Sequence, residues 1–217
     1  MRITLPTGTA ASLTVPDEAT MGLVIAPDLW GLRPLFDDLV DRLSREWSMS
    51  ACAVEPFPGR DLPQELAPRM AAVSMLEDDA HLADLEAAAD ATGADRVGLM
   101  GFCMGGMYAL KAARSDRFAR LVAFYGMIRV PENWRSPSQG EPLDHLTGGH
   151  PERVLAVVGG RDSYTPPDDV TALEVAGVTV VRYAEAEHGF AHDPARPAHR
   201  KDDAADAFAR AREWLTS

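Results

Sequence analysis

The sequence has few cysteines, no excess of basic residues and no long apolar run, and each shortage excludes a class of protein. Only two of the 217 residues are cysteines, Cys52 and Cys103, which is too few for a disulfide scaffold. The formal charge is −12 at pH 7, so nucleic acids and anionic membranes are not expected as partners, because both bind basic surfaces. No apolar run approaches the roughly 20 residues of a membrane span, and no basic-plus-apolar leader is evident. We therefore expect a cytoplasmic protein.

The residues that are present are typical of an ordinary globular domain. Hydrophobic residues make up 46% of the chain and charged residues 25%, which is enough for a sizeable core. Short β-type runs alternate with helical patterns, and strands are predicted at 22–26, 51–54, 96–100, 120–126, 153–160 and 178–184. Apolar strands separated by helices indicate a mostly parallel sheet covered on both faces, an α/β three-layer sandwich. No repeat or linker divides the chain, so we expect one domain over residues 1–217.

One segment, residues 127–152, interrupts this alternation. It is long, polar and rich in proline and glycine, with no predicted element. Irregular connections of this length tend to be lids, binding loops or mobile surface. The segment follows a strand at the edge where open α/β sheets bind their ligands. Trp134 within the segment makes a lid that covers the site plausible. A floppy surface loop is the equal alternative.

The stretch "GFCMGG", residues 101–106, has the pattern of a nucleophile turn, with Cys103 where serine is commoner. A nucleophile between a strand and a helix sits in a strained backbone, so its neighbours must be small. Gly101, Gly105 and Gly106 meet that need, and the helix start would stabilise a thiolate. The alternative is a glycine-rich bend that permits close packing, with Cys103 as a small apolar filler.

A thiol nucleophile needs a base, and the base needs an orienting acid. In this type of fold they follow in the order nucleophile, acid, histidine. Asp162 follows the strand at 153–160, and His188 follows the next strand. Each alone could be a turn or surface residue, but order and position together predict a Cys103–His188–Asp162 triad. No metal is expected, because no cluster has ligand spacing, and no dinucleotide cofactor, because "GFCMGG" lacks the G-x-G-x-x-G spacing.

With "VVGGRD", "EHGF" and "VIAPDLWGL" (24–32), these motifs resemble the dienelactone hydrolase family over essentially the whole chain. The resemblance implies an α/β-hydrolase fold and hydrolysis of a small carboxylic ester or lactone through an acyl-enzyme. It also implies an oxyanion hole formed by the backbone N–H groups of Leu29 and Met104. No cofactor is implied, and the protein is expected to be a monomer or a small homo-oligomer.

The sequence departs from the family pattern where members carry a glutamate that helps to activate the thiol. Asp28 occupies this position and is one methylene shorter. We expect Asp28 to take part in catalysis, through water if it does not reach Cys103 directly. The alternatives are activation by His188 alone and a loop role for Asp28 as a helix cap. Glu55, after the second predicted strand, is a secondary candidate for the same task.

A second departure concerns the substrate. Family members that cleave dienelactones hold the substrate carboxylate with arginines, one of them four residues beyond the histidine. Here that position is His192, which we expect to line the substrate pocket, and Arg60 and Arg69 are the arginines available in the proline-rich segment. An uncharged or weakly acidic ester therefore fits the sequence at least as well as an anionic dienelactone.

Three aromatic residues, Trp30, Tyr125 and Trp134, are expected to contact an apolar acyl or aromatic group, although Trp30 and Tyr125 could equally be core packing. Two functions other than hydrolysis stay open. One is acyl transfer or cyclisation on a biosynthetic intermediate, with residues 127–152 excluding water. The other is a non-catalytic member of the family that binds a ligand in the inherited pocket.

Overall fold

The computed structural model describes the whole chain, residues 1–217, around an eight-stranded sheet. The strands are β1 Arg2–Thr4, β2 Ala10–Thr14, β3 Met21–Ala26, β4 Met49–Val54, β5 Val97–Phe102, β6 Arg120–Phe124, β7 Val154–Gly159 and β8 Thr179–Tyr183. They are ordered β1-β2-β4-β3-β5-β6-β7-β8. From β4 to β8 the pairing is parallel, while β1 and β2 are antiparallel. The predicted mostly parallel sheet is confirmed. The two antiparallel strands were not predicted, because they are short and partly exposed and lack an apolar run.

Seven helices cover the sheet. They are α1 Pro34–Trp47, α2 Leu66–Val73, α3 Asp78–Ala91, α4 Met104–Lys111, α5 Pro142–Thr147, α6 Pro167–Val175 and α7 Lys201–Thr216. On one face α1 meets α7 through the rings of Trp47 and Phe208. On the other, α3 is joined to α4 by a buried ion pair between Asp78 and Lys111. The three-layer α/β-hydrolase sandwich is thus confirmed. None of the helices is both long and apolar enough to cross a membrane.

The sheet places the predicted functional residues along one edge. Asp28 follows β3, Cys103 follows β5, Tyr125 follows β6, Asp162 follows β7 and His188 follows β8. Because these strands are parallel, their carboxyl ends meet at the same edge. Residues far apart in the chain are therefore brought to one place by topology alone.

The segment 127–152 is packed against the protein and contains regular structure. It includes a 3-10 turn at Glu132–Trp134 and the helix α5. Met127, Ile128 and Trp134 are all at most 1% exposed. The expectation of a floppy surface loop is therefore wrong. The segment forms a packed wall instead, because its scattered apolar residues join the core, and its role as a lid stays a prediction.

Asp78 is the main anchor of this wall. Its carboxylate accepts hydrogen bonds from the N–H of Gly140 at 2.8 Å and from Nζ of Lys111 at 2.8 and 3.0 Å. Its own N–H donates to the carbonyl oxygen of Ser138 at 3.1 Å. Burial would raise the pKa of Asp78, but hydrogen bonds from His145 and Lys111 lower it to about 2. Asp78 is therefore an anion that ties α3 and α4 to residues 138–140.

Candidate active site

Cys103 sits at a sharp turn between β5 and α4. Its φ is +57°, in the left-handed region that non-glycine residues rarely adopt. A Cβ at Gly101 would lie 2.0 Å from the carbonyl oxygen of Gly105, and one at Gly105 would lie 2.0 Å from that of Ala26. Only glycine fits at these two positions. The glycines thus allow the turn that presents the thiol at the start of α4.

His188 and Asp162 are joined beside this turn. Nδ1 of His188 lies 2.8 Å from Oδ2 of Asp162. The other oxygen, Oδ1, accepts the backbone N–H of Tyr164 at 2.8 Å. Because a carboxylate can only accept, the proton of this pair belongs on Nδ1 of His188. The second ring nitrogen, Nε2, is then the atom available for chemistry.

The charge state of His188 depends on Cys103. Burial would lower the pKa of His188, but a negative charge at Cys103 and the hydrogen bond to Asp162 outweigh it and raise the pKa to about 10. A hydrogen bond between His188 and the sulfur of Cys103 also raises this pKa, although Nε2 lies outside strict hydrogen-bond geometry in the structure. Nε2 is therefore the ring atom that can exchange a proton with the thiol.

We expect the pKa of His188 to fall when Cys103 is replaced by alanine. The substitution removes the negative charge that opposes burial, so the pKa moves down from about 10 toward the ordinary value near 6.5. A proton NMR titration of the His188 Cε1–H resonance measures this shift. The Cε1–H resonance of His150, which lies in contact with Asp116, is the reference signal and should have the same chemical shift in both proteins. An unchanged His188 titration would contradict the electrostatic link to Cys103.

Two backbone N–H groups near the thiol have no acceptors. The N–H of Leu29 makes no hydrogen bond in the structure, and Leu29 lines the same cavity as Cys103. Met104 is the first residue of α4, so its N–H has no acceptor within the helix. Both groups proposed from the family resemblance are thus unsatisfied donors, as an oxyanion hole requires.

Glu55 and Arg69 brace the loop that holds Leu29. Glu55 accepts the N–H of Leu32 at 2.9 Å with one oxygen and the N–H of Phe57 at 2.9 Å with the other. Arg69 donates to the carbonyl oxygen of Leu29 at 3.3 Å. With both oxygens of Glu55 engaged and Arg69 bound to carbonyls, Glu55 has no hydrogen bond to the thiol and Arg69 is not free to bind a substrate anion.

Asp28 lines the cavity but makes no hydrogen bond to Cys103. It accepts the N–H of Trp30 at 3.0 Å, two bonds from Arg33 at 2.6 and 3.0 Å, and one from Nε2 of His192 at 2.9 Å. Burial would raise its pKa, but the bonds from His192 and Arg33 lower it to about 2. Activation of the thiol by Asp28 stays a prediction, with no direct contact in this structure to support it.

Tyr125 and His192 lie behind the cavity and do not line it. Tyr125 is fully buried, and the side chain of His192 has no exposed surface. The φ of Tyr125 is +38°, and its hydroxyl group lies 2.5 Å from Nδ1 of His192. We expected both residues to contact the substrate directly. The structure instead places them outside the cavity lining, where their side chains are bonded to each other.

The cavity beside Cys103 and His188 has a volume of about 240 Å³. Its apolar wall is formed by Leu29, Trp30, Leu66, Met70, Met127 and Trp134. Trp30 and Trp134 thus lie where an apolar group of a substrate would contact them. A larger surface groove of about 920 Å³ runs along α1 and α7, and neither Cys103 nor His188 lines it. The smaller cavity is the one that the chemistry can use.

Arg196 also lines this cavity, and the sequence analysis missed it. The guanidinium group makes no ion pair and no hydrogen bond in the structure. It lies on the backbone of Gly189, where a Cβ would come within 2.8 Å of it. The φ of Gly189 is +77°, which favours glycine here. Arg196 is thus the only arginine or lysine that lines the cavity, and it is unpaired.

Comparison with known proteins agrees with this geometry. The model of the Dienelactone hydrolase family matches residues 9–217. A candidate 2-oxo-3-(5-oxofuran-2-ylidene)propanoate lactonase from Bradyrhizobium sp is 35% identical over 43% of this chain and 39% of its own length. Carboxymethylenebutenolidase 2 from Cupriavidus pinatubonensis is 29% identical over 72% of this chain and 66% of its own. The matches thus span less than two thirds of either relative.

Solved structures share the fold over the full chain. The crystal structure of a candidate dienelactone hydrolase from Klebsiella pneumoniae subsp. pneumoniae superposes with a TM-score of 0.87 at 26% identity, covering 100% of this chain and 98% of that one. A promiscuous phosphotriesterase resembling dienelactone hydrolases, from metagenomic libraries, superposes with a TM-score of 0.74 at 18% identity, covering 100% and 96%.

Proposed function

The chain belongs to the dienelactone hydrolase family, and from this premise we propose that it hydrolyses a small carboxylic ester or lactone with Cys103 as nucleophile. One observation carries the proposal. The thiol of Cys103, a histidine held by a carboxylate at 2.8 Å and Leu29, whose N–H is unsatisfied, line one cavity. They come from strands spread from β3 to β8, which supports a single catalytic domain.

In the proposed reaction the Cys103 thiolate attacks the carbonyl carbon, and the carbonyl oxygen becomes an oxyanion held by the N–H groups of Leu29 and Met104. Each such donor contributes on the order of 10²–10³ in rate. The His188 imidazolium, held by Asp162, gives its Nε2 proton to the departing alkoxide, which leaves an acyl-enzyme. Nε2 then takes a proton from water, the hydroxide attacks the thioester, and the thiolate is released with the acid.

The lining of the cavity favours an unsaturated lactone or ester that bears a carboxylate. Arg196 supplies an unpaired cation there, against the net charge of −12. Trp30 and Trp134 supply apolar surface for the rest of the molecule. The names of the two curated relatives describe lactones with a carboxyl or propanoate group, which fits the same combination of charge and apolar wall. We therefore propose that Arg196 binds the substrate carboxylate.

Selective alkylation of one thiol tests the cysteine mechanism. Hydrolysis of p-nitrophenyl acetate is followed during treatment with iodoacetamide, and the modified residue is mapped by mass spectrometry. We expect activity to disappear in step with modification of Cys103. The only other thiol, Cys52, is fully buried, and burial raises its pKa to about 12, so it should stay unmodified. Full activity with Cys103 alkylated would refute the mechanism.

Replacing Arg196 with glutamine should weaken binding of carboxylate-bearing substrates only. A hydrogen bond to a charged group contributes about 1.5–3 kcal/mol, so KM for a carboxylate-bearing lactone should rise about 10- to 100-fold. KM for neutral p-nitrophenyl acetate should change less than about two-fold. Arg45→Gln removes an exposed arginine on α1 and is the control for the loss of one positive charge. Equal effects on both substrates would contradict the assignment.

A further inference from the structure

Behind the catalytic cavity, Asp28, His192 and Tyr125 form an unbroken buried chain of hydrogen bonds. Oδ2 of Asp28 lies 2.9 Å from Nε2 of His192, and Nδ1 of His192 lies 2.5 Å from the Tyr125 hydroxyl oxygen. That oxygen also accepts the backbone N–H of His192 at 3.3 Å. None of these groups has a step in the proposed reaction. A buried network this completely bonded constrains the position of each of its members.

The direction of every hydrogen bond in this chain is determined. Arg33 and the N–H of Trp30 both donate to Asp28, so its carboxylate is an acceptor and Nε2 of His192 must donate to it. Burial lowers the pKa of His192, which keeps the ring neutral and makes Nδ1 an acceptor. The Tyr125 hydroxyl therefore donates to Nδ1. Only one arrangement of protons satisfies all three side chains.

The phenol end of the chain contacts the catalytic histidine. The ring of Tyr125 packs edge to face against His188, with centroids 5.3 Å apart and planes at 67°. Its φ of +38° is a strained value for tyrosine. The N–H of Tyr125 is fixed to the carbonyl oxygen of Val157 at 2.7 Å. The strained backbone thus places a ring against His188, and the hydroxyl bond fixes its orientation.

The carboxylate end of the chain reaches the oxyanion loop. Asp28 directly precedes Leu29, the proposed oxyanion donor. Oδ1 of Asp28 holds the N–H of Trp30 at 3.0 Å, which fixes the backbone on the other side of Leu29. One buried chain therefore begins at the loop that binds the oxyanion and ends at the imidazole that moves the proton.

We propose that Asp28, His192 and Tyr125 are positioning residues that fix the imidazole of His188 relative to the oxyanion loop. The inference rests on the proposed function of Cys103 and His188 and adds three residues that make no hydrogen bond to either of them. A misplacement of about 1 Å can lower a rate about 10²-fold. The chain should therefore affect kcat far more than substrate binding.

Two substitutions test this by removing hydrogen bonds while keeping ring volume. Tyr125→Phe deletes one hydroxyl, and we expect kcat for p-nitrophenyl acetate to fall about 10-fold. His192→Phe deletes both side-chain bonds but keeps a ring beside Phe102, and kcat should fall about 100-fold. KM should change less than about two-fold in both. His192→Gln, whose amide offers one donor and one acceptor, should recover part of kcat. His199→Gln, in the same loop, is the unaffected control.

A second readout does not depend on turnover. The Nδ1–H proton of His188, bonded to Asp162, should give a slowly exchanging downfield NMR resonance in the native protein. In Tyr125→Phe and His192→Phe it should exchange faster or disappear. A native protein without esterase activity would refute the proposed function, and this resonance would still test the positioning role. Native kcat together with a protected resonance in both variants would overturn the inference. So would a loss of kcat that parallels a fall in melting temperature and that His192→Gln does not recover.

Discussion

Replacing Cys103 with alanine is expected to lower kcat/KM at least about 10⁴-fold for every ester or lactone that the protein hydrolyses. Alanine leaves the cavity, the oxyanion donors and His188 in place but removes the atom that forms the acyl-enzyme. The thiol is 4% exposed, so its loss leaves a small cavity and should cost only about 1 kcal/mol of stability. Steady-state kinetics on p-nitrophenyl acetate, with circular dichroism to verify the fold, measure the effect. More than about 1% of native activity in the variant would contradict a cysteine nucleophile.

Two further variants sharpen this test. Cys103→Ser keeps an attacking atom but loses the thiolate whose charge raises the pKa of His188, so we expect activity between those of Cys103→Ala and the native protein. Cys52→Ala changes the other cysteine, which is buried in β4, and should leave kcat/KM within about two-fold of native. A serine variant as active as the native protein would show that thiolate formation is not the source of reactivity.

The fold could be predicted from the sequence because its signals are local. Runs such as residues 22–26 and 96–100 are apolar throughout, and buried parallel strands need that pattern. The order of Cys103, Asp162 and His188 was also visible, since each follows a strand. Topology then brings these residues to one edge of the sheet, so the contact between His188 and Asp162 followed from connectivity.

The sequence could not predict the contacts that depend on the paths of loops. Asp28 and His192 are 164 positions apart, and no sequence motif indicates that the two side chains are in contact. The family resemblance suggested that Asp28 acts on Cys103 and that His192 contacts the substrate. In the structure these two residues are bonded to each other. Arg196 was missed for the same reason, because only the folded loop places its guanidinium group on Gly189.

The segment 127–152 shows how composition can mislead. Its polar residues and prolines predict irregular surface, yet Trp134 is 1% exposed and α5 lies within it. One anchor is the buried carboxylate of Asp78 on a distant helix, which accepts the N–H of Gly140. A polar segment packs into the protein when a few of its apolar side chains enter the core and distant polar groups bond to it, and no local pattern predicts either condition.

Replacing Gly105 with alanine is expected to destabilise the protein strongly. The added Cβ would lie 2.0 Å from the carbonyl oxygen of Ala26 and 2.5 Å from that of Pro27. Both are backbone atoms, so no side chain can move aside, and the oxyanion loop that follows β3 would have to shift. We expect a loss of about 4 kcal/mol or more in the free energy of unfolding, with a melting temperature about 10 °C lower or an insoluble product.

Gly148→Ala is the matched control, because a Cβ there meets only the carbonyl oxygen of Asp144 at 3.7 Å and the backbone has a negative φ. It should change the free energy of unfolding by less than about 1 kcal/mol. Thermal and urea unfolding of the two variants, prepared in parallel, compare the same chemical change at a crowded and an open position. A Gly105→Ala protein as stable and active as Gly148→Ala would mean that α4 can move away from β3. The close approach of these elements, which sets Cys103 against the oxyanion loop, would then not be required.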